Sequence, residues 1–203
     1  MDWSILHTLN DFLYHHDDIE DPLLFYVNVS EALFVATLAV IFLLANGIRH
    51  IAWRRAAVAA VISAGAALAI GKVISEIVDR SRPFVVDAHG VHLFAPHAAD
   101  PGFPSDHATG AFAVATAIFL RHRGWGVVAL VAAAVLSVGR VALGVHFPSD
   151  VLAGAALGAA VAFLLWKVQP LRRRIDALSD WLGGHWDRLL ARGAELAGLS
   201  WRP

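Results

Sequence analysis

The sequence predicts an all-α fold, a polytopic membrane helix bundle of about five transmembrane helices with an amphipathic helix at each terminus. Three observations carry this. Of the 203 residues 58% are hydrophobic and only 16% charged, with a mean hydropathy of +0.60; a soluble domain is about 45–50% apolar and about 25% charged. Apolar stretches recur near the length, about 20 residues, that crosses a bilayer as a helix. The segments between them alternate in charge, acidic or mixed on one side and basic on the other.

Residues 2–14 place Trp3, Ile5, Leu6, Leu9, Phe12 and Leu13 among polar neighbours, the pattern of a helix lying on the outer interface. The spans follow at roughly 23–46, 56–78, 106–120, 125–144 and 150–168, the third of them short. In lipid each must satisfy its own backbone, so each is read as a helix. The small-residue faces AGAALAIG and LAGAALGAA suit close helix contact. Residues 171–198 read as a second amphipathic segment, on the inner side, with Arg and Trp as anchors. No repeat or low-complexity tract divides residues 1–203, which read as one integral membrane domain with its motifs between 72 and 152.

Basic clusters fall after span one (Arg49, Arg54, Arg55), after span three (Arg121, Arg123) and after span five (Lys167, Arg172 to Arg174). With five spans these share one side. The positive-inside rule then puts the N-terminus outside and the C-terminus in the cytoplasm of a multi-pass membrane protein. The acidic N-terminal stretch MDWSILHTLNDF lacks the basic region of a cleaved signal peptide. A net charge of −1 offers no basic face for nucleic acid. The absence of cysteine excludes disulfides, zinc thiolates and iron–sulfur clusters.

Three polar clusters share the outer side: DRSRPF (79–84), FPSDH (103–107) and GRVALGVHFPSD (139–150). They bring Arg80, Arg82, Ser105, His107, Arg140, His146 and Asp150 toward one place. Guanidiniums facing one pocket repel unless an anion joins them, and Arg holds phosphate oxygens in a bidentate fork. Ser105 opens a helix whose first N–H groups and dipole favour an anion. Of the two histidines, His146 has a carboxylate four residues on, Asp150, able to hold one ring nitrogen and free the other for attack. His107 has only its neighbour Asp106, which points elsewhere in a helix, so His107 is the better acid.

The order RP, PSDH and R-x5-H-x3-D resembles the type 2 phosphatidic acid phosphatase superfamily, whose motifs are K-x6-RP, PSGH and SR-x5-H-x3-D. The stretch PHAADPGFPSDHATGA (96–111) is more narrowly similar to bacterial undecaprenyl-diphosphatases of the bacitracin-resistance type. The resemblance implies a phosphatase without metal or cofactor that works through a phosphohistidine. His146 would be nucleophile, Asp150 its orienter and His107 general acid, with Arg82, Ser105 and Arg140 on the phosphate. The implied substrate is undecaprenyl diphosphate, hydrolysed to undecaprenyl phosphate and phosphate to recycle the cell-wall lipid carrier. The alternatives are a phosphatidylglycerophosphate or phosphatidate phosphatase, or a lipid-phosphate binder or transporter without turnover.

The chain departs from the motifs at three points. Ser75 stands where the superfamily has lysine; either Lys72, one turn deeper, or Arg80, nearer the mouth, supplies the missing phosphate-binding charge, or none is needed. Lys72 is also spaced to pair with Glu76. Asp106 replaces glycine and bears on either diphosphate recognition or lid geometry, and Gly139 replaces serine. Glu31, inside the first span, is costly in lipid and needs a partner; it is either structural or at the lipid-chain entrance. His97 and Asp100 belong to the loop or to the pocket rim.

Overall fold

The structure, a computed structural model, describes residues 1–45 and 50–197; Arg49, residue 46 of the first expected span and residue 198 lie outside the described residues. The helices are α1 Asp2–Tyr14, α2 Asp17–Leu44, α3 Ile51–Val78, α4 Pro83–Val86, α5 Asp106–Phe119, α6 Arg123–Ala142, α7 Pro148–Lys167 and α8 Gln169–Leu196. Among the described residues, α2, the run from α3 into α4, α6 and α7 are long and apolar enough to cross a membrane.

The short third span is α5, 14 residues, or about 21 Å of helix against a hydrocarbon core of about 30 Å. It still runs from one end of the bundle to the other. At its start the Ser105 N–H donates to the Asp150 carbonyl of α7 (3.0 Å), and just past its end Arg121 pairs with Asp176 of α8 (2.7 Å). Ala108, Thr109, Ala111, Ala113, Val114, Ala115, Ala117 and Ile118 are all buried in it. Protein rather than lipid surrounds α5, so it need not match the bilayer. Glycines on α7 make the contact close: a Cβ at Gly154 would lie 2.6 Å from the Ser105 carbonyl oxygen, and one at Gly158 2.8 Å from the Ala113 nitrogen.

The N-terminal helix corrects the expectation of a purely interfacial segment. In α1, Leu6, Asn10 and Leu13 are buried against the bundle. The Asn10 amide donates to the carbonyls of His92 (2.8 Å) and Ala142 (2.7 Å) and accepts the His92 N–H (2.8 Å), tying α1 to the 87–105 segment and to the end of α6. At the opposite end α8 crosses the bundle, its carboxylates meeting Arg54 (Asp187), Arg55 (Asp180) and Arg121 (Asp176). Arg121 and Arg172 both stack on Trp166, each 4.8 Å from the ring centroid. The described basic residues expected on one side thus gather at one end, and the three motif clusters gather at the other.

Candidate active site

Each motif residue sits where a helix begins or ends. Arg82 precedes α4, Ser105 precedes α5, Arg140 lies in the last turn of α6, and His146 lies just before α7, whose first turn holds Asp150. All five are buried. Arg82 Nη1 donates to His146 Nε2 at 3.1 Å, and Arg140 Nη2 donates to the same nitrogen at 3.4 Å. The other ring nitrogen, Nδ1, lies 2.9 Å from the Gly102 carbonyl. A guanidinium can only donate and a carbonyl can only accept. The ring is therefore neutral, with its proton on Nδ1 and its lone pair on Nε2. Burial first, then the charges of Arg140 and Arg82, holds His146 well below the usual imidazole range, against the opposing pull of the Gly102 carbonyl.

The expected Asp150 contact is replaced by that carbonyl. Asp150 Oδ2 is 3.8 Å from His146 Nδ1, too far for a hydrogen bond. Oδ2 instead accepts the Phe147 N–H (2.8 Å) and Oδ1 accepts Arg80 Nη1 (2.7 Å), which closes the turn carrying His146.

Arg80 does not join the phosphate set. It donates to Ser149 Oγ (2.6 Å) and Asp2 (3.0 Å) as well as Asp150, and lies over the Phe147 ring at 4.2 Å. Lys72 pairs with Glu76 at 3.6 Å, both side chains well exposed. Asp106, exposed in the first turn of α5, lines a cavity with Lys72, Glu31 and His107.

Arg82 and Arg140 differ in their partners. Arg82 Nε donates to the carbonyl and to Oδ1 of Asp100, both at 3.0 Å, and its Nη1 reaches the Val145 carbonyl (3.1 Å). Burial opposes ionisation of Asp100, yet Arg82 brings its carboxyl below the usual range. Arg140 meets no carboxylate within ion-pair distance among the described residues; its Nη2 reaches His97 Nε2 (3.3 Å) and its Nε is buried without a partner. Burial, then Arg140 and Arg82, lowers the His97 pKa. The hydroxyl of Ser105 does not cap its own helix and is likewise buried without a partner. Two desolvated cations thus converge on one lone pair, and a buried hydroxyl is left unused at the start of α5. An oxyanion is a group that can accept from both guanidiniums at once.

His107 has a carboxylate that the sequence reading did not give it: Nε2 is 3.2 Å from Oε1 of Glu31, on α2. An ionised carboxylate only accepts, so Nε2 carries the proton. Glu31 also lines a cavity of about 540 Å³, with Phe34, Leu68 and Val114 below it. Glycine at Gly139 has a steric reason. A Cβ there would stand 2.9 Å from Val27 Cγ2 and 3.0 Å from Leu23 Cδ1, so the serine of the motif would require these α2 side chains to give way.

The sequence profile of the PAP2 superfamily matches residues 55–174, a span that contains every one of these buried site residues. The chain belongs to the PAP2 superfamily. Among its PAP2 relatives, the undecaprenyl-diphosphatase BcrC of Bacillus subtilis is 30% identical over 175 residues, 85% of this chain and 86% of that protein. A lipid A 1-phosphatase of Rhizobium johnstonii is 39% identical over 118 residues, 50% of this chain and 47% of that one. The crystal structure of a transmembrane PAP2 type phosphatidylglycerolphosphate phosphatase from Bacillus subtilis shares the fold, with a TM-score of 0.57 at 18% identity over 83% of this chain and 86% of that chain. The chain is thus a multi-pass membrane phosphatase of the PAP2 type.

Proposed function

We propose that this phosphatase hydrolyses undecaprenyl diphosphate to undecaprenyl phosphate and phosphate through a phosphohistidine on His146, so recycling the cell-wall lipid carrier. The observation that carries the reading is the convergence of Arg82 and Arg140 on His146 Nε2, with no carboxylate on Arg140 among the described residues. The terminal phosphoryl group takes the place between the guanidiniums, and its oxygens also accept from Ser105 and the start of α5. His146 Nε2 attacks phosphorus as the bond to the lipid phosphate breaks. His107 gives a proton to the leaving oxygen, then takes one from the water that cleaves the phosphohistidine. Preorganised donors aimed at developing charge supply the stabilisation. A binder without turnover has no use for a buried neutral imidazole whose lone pair is aimed between two cations.

The lipid follows from the long match to a relative named for undecaprenyl diphosphate and from the largely apolar cavity beside His107. A phospholipid phosphate is the second reading, favoured by the fold shared with a phosphatidylglycerolphosphate phosphatase. For orientation, the basic end bearing Arg54, Arg55, Arg121 and Arg172 faces the cytoplasm, which places the site and the N-terminus outside.

The test is phosphate release in detergent, with chelator present, from undecaprenyl diphosphate, phosphatidylglycerophosphate and phosphatidate. The expected result is a kcat/KM at least about tenfold higher on the diphosphate. Preference for a phospholipid moves the reading to the second substrate class. Turnover that requires an added divalent ion contradicts the arginine-based mechanism.

A further inference from the structure

Glu31 is an ionisable side chain in the apolar run of α2 that follows its acidic first turns, a placement that costs free energy unless a partner is bound. Its ion-pair partner among the described residues is His107, at 3.2 Å. The contact is built in from two sides. Val27, one turn before Glu31 on the same face of α2, is buried against the space left by Gly139 of α6. Ser30 is buried beside it with its hydroxyl donating to the Val27 carbonyl (2.8 Å). The close α2–α6 approach therefore holds the carboxylate over the first turn of α5.

We propose that Glu31 is the positioning residue of the general acid: its carboxylate holds Nε2–H of His107, so that Nδ1 is the nitrogen that delivers a proton to the leaving oxygen and takes one back from water. This rests on His107 being the acid, as in the function proposed above. With Nε2–H fixed on Glu31, the imidazolium carries its second proton on Nδ1. That proton passes to the bridging oxygen as the phosphorus–oxygen bond breaks and the His146–phosphorus bond forms. The ring is left neutral, with Nε2–H still on Glu31 and a lone pair on Nδ1. Water then attacks phosphorus, its proton goes to Nδ1, the His146–phosphorus bond breaks, and the imidazolium is restored.

The charge balance supports the assignment. Arg140 of α6, Arg82, His97 and His146 face His107 from the site side. A bound phosphoryl group neutralises the arginines, and Glu31 then favours the imidazolium from the cavity side. Asp106 and Lys72, which share that cavity, offset one another there.

The experiment is a leaving-group series of aryl and alkyl phosphates, measured across pH on wild type, H107A, E31A, E31Q and H107A/E31A, with farnesyl diphosphate as lipid probe. H107A is expected to steepen the dependence of kcat on leaving-group pKa. E31A is expected to steepen it in the same sense, with a loss of about 10- to 100-fold on the poorest leaving groups, below the roughly 10²–10⁴-fold of general-acid removal. In the H107A background E31A should add less than about twofold, because the two act as one unit. E31Q keeps an acceptor without the charge and should fall between wild type and E31A, with an unchanged melting temperature. A rise in KM for farnesyl diphosphate alone, with the slope for aryl phosphates unaltered, would overturn the proposal and leave Glu31 as a lipid contact. Additive losses in the double variant would overturn it as well. If H107A itself leaves the slope unchanged, the acid assignment falls and this one falls with it. If H107A steepens the slope and E31A does not, only the Glu31 proposal falls.

Discussion

At the end of the bundle covered by α8, Arg54, Arg55 and Arg121 each meet a carboxylate at 2.6–2.7 Å. At the other end Arg140, as buried as Arg54, meets two imidazoles and, among the described residues, no carboxylate, and Arg82 shares its charge between Asp100 and His146. Arg54 and Arg140 are alike in residue type and burial; their partners are not. A paired arginine fastens one helix to another. A desolvated arginine without its counter-charge is a cost to the fold that an anion removes. The difference separates the arginines that fasten helices from those to which the proposed function assigns chemistry, and burial alone would not.

Exchanging the two kinds of arginine for alanine gives the largest contrast. R140A removes a donor to the reacting phosphoryl group and is expected to lower kcat/KM by about 10²–10³-fold with little change in melting temperature. R54A leaves Asp187 half-buried and unpaired, and is expected to destabilise by about 3 kcal/mol while the folded fraction keeps its kcat. R55A, whose pair with Asp180 is a third exposed, should cost no more than about 1 kcal/mol. An R54A enzyme that melts normally but turns over slowly would erase the distinction between the two ends.

The pH profile sharpens it. His146 is held neutral by burial and then by Arg140 and Arg82. Its protonation, which would silence the nucleophile, therefore falls below the ordinary imidazole pKa of about 6.5. The acid limb of kcat/KM should lie below that value in the wild type. R140A removes one of the charges that lower the pKa, so the limb should move upward toward it. The shift is read between enzymes on one substrate, so ionisation of the substrate cancels. A limb at the same pH in both enzymes would show that Arg140 does not act on His146.

The smallest effect concerns Arg80, a cation at the site end that is fully engaged by protein groups. R80A is expected to lower kcat by less than about tenfold, through a looser His146 turn, and to leave inhibition by vanadate unchanged; R140A should weaken vanadate binding markedly. A strong loss of vanadate affinity in R80A would return Arg80 to the phosphate site.

Much of this was legible in the sequence. The starts of α5 and α7 and the end of α3 fall within two residues of expectation because proline, serine and charged motifs mark them. The start of α2 falls six residues earlier than its apolar run, at Asp17, because acidic residues suit the first turn of a helix although they do not suit lipid. The burial of α1 was missed since a Leu6–Asn10–Leu13 face looks the same whether it meets lipid or protein. At the site, Arg82, Ser105, Arg140 and His146 are singled out in the sequence by type and order, and the fold buries all four at helix ends on the same side of the bundle. The Gly102 carbonyl on His146 was not, because a backbone acceptor leaves no mark in residue identity. Arg80 was misassigned because its partner Asp2 lies 78 residues away. The Glu31–His107 contact had a signal, a carboxylate in an apolar span, but no spacing joins residues on two different helices.

The most direct test of the central claim, that Arg82 and Arg140 hold a phosphoryl group for attack by His146, is to trap the covalent enzyme. Protein mixed with terminally ³²P-labelled undecaprenyl diphosphate is quenched in alkali, where a phosphohistidine persists, and the label is then challenged with acid, which cleaves it. Wild type is expected to carry alkali-stable, acid-labile label, R140A far less and H146A none. Label of equal amount on H146A, or turnover by a wild-type enzyme that never carries label, would contradict it.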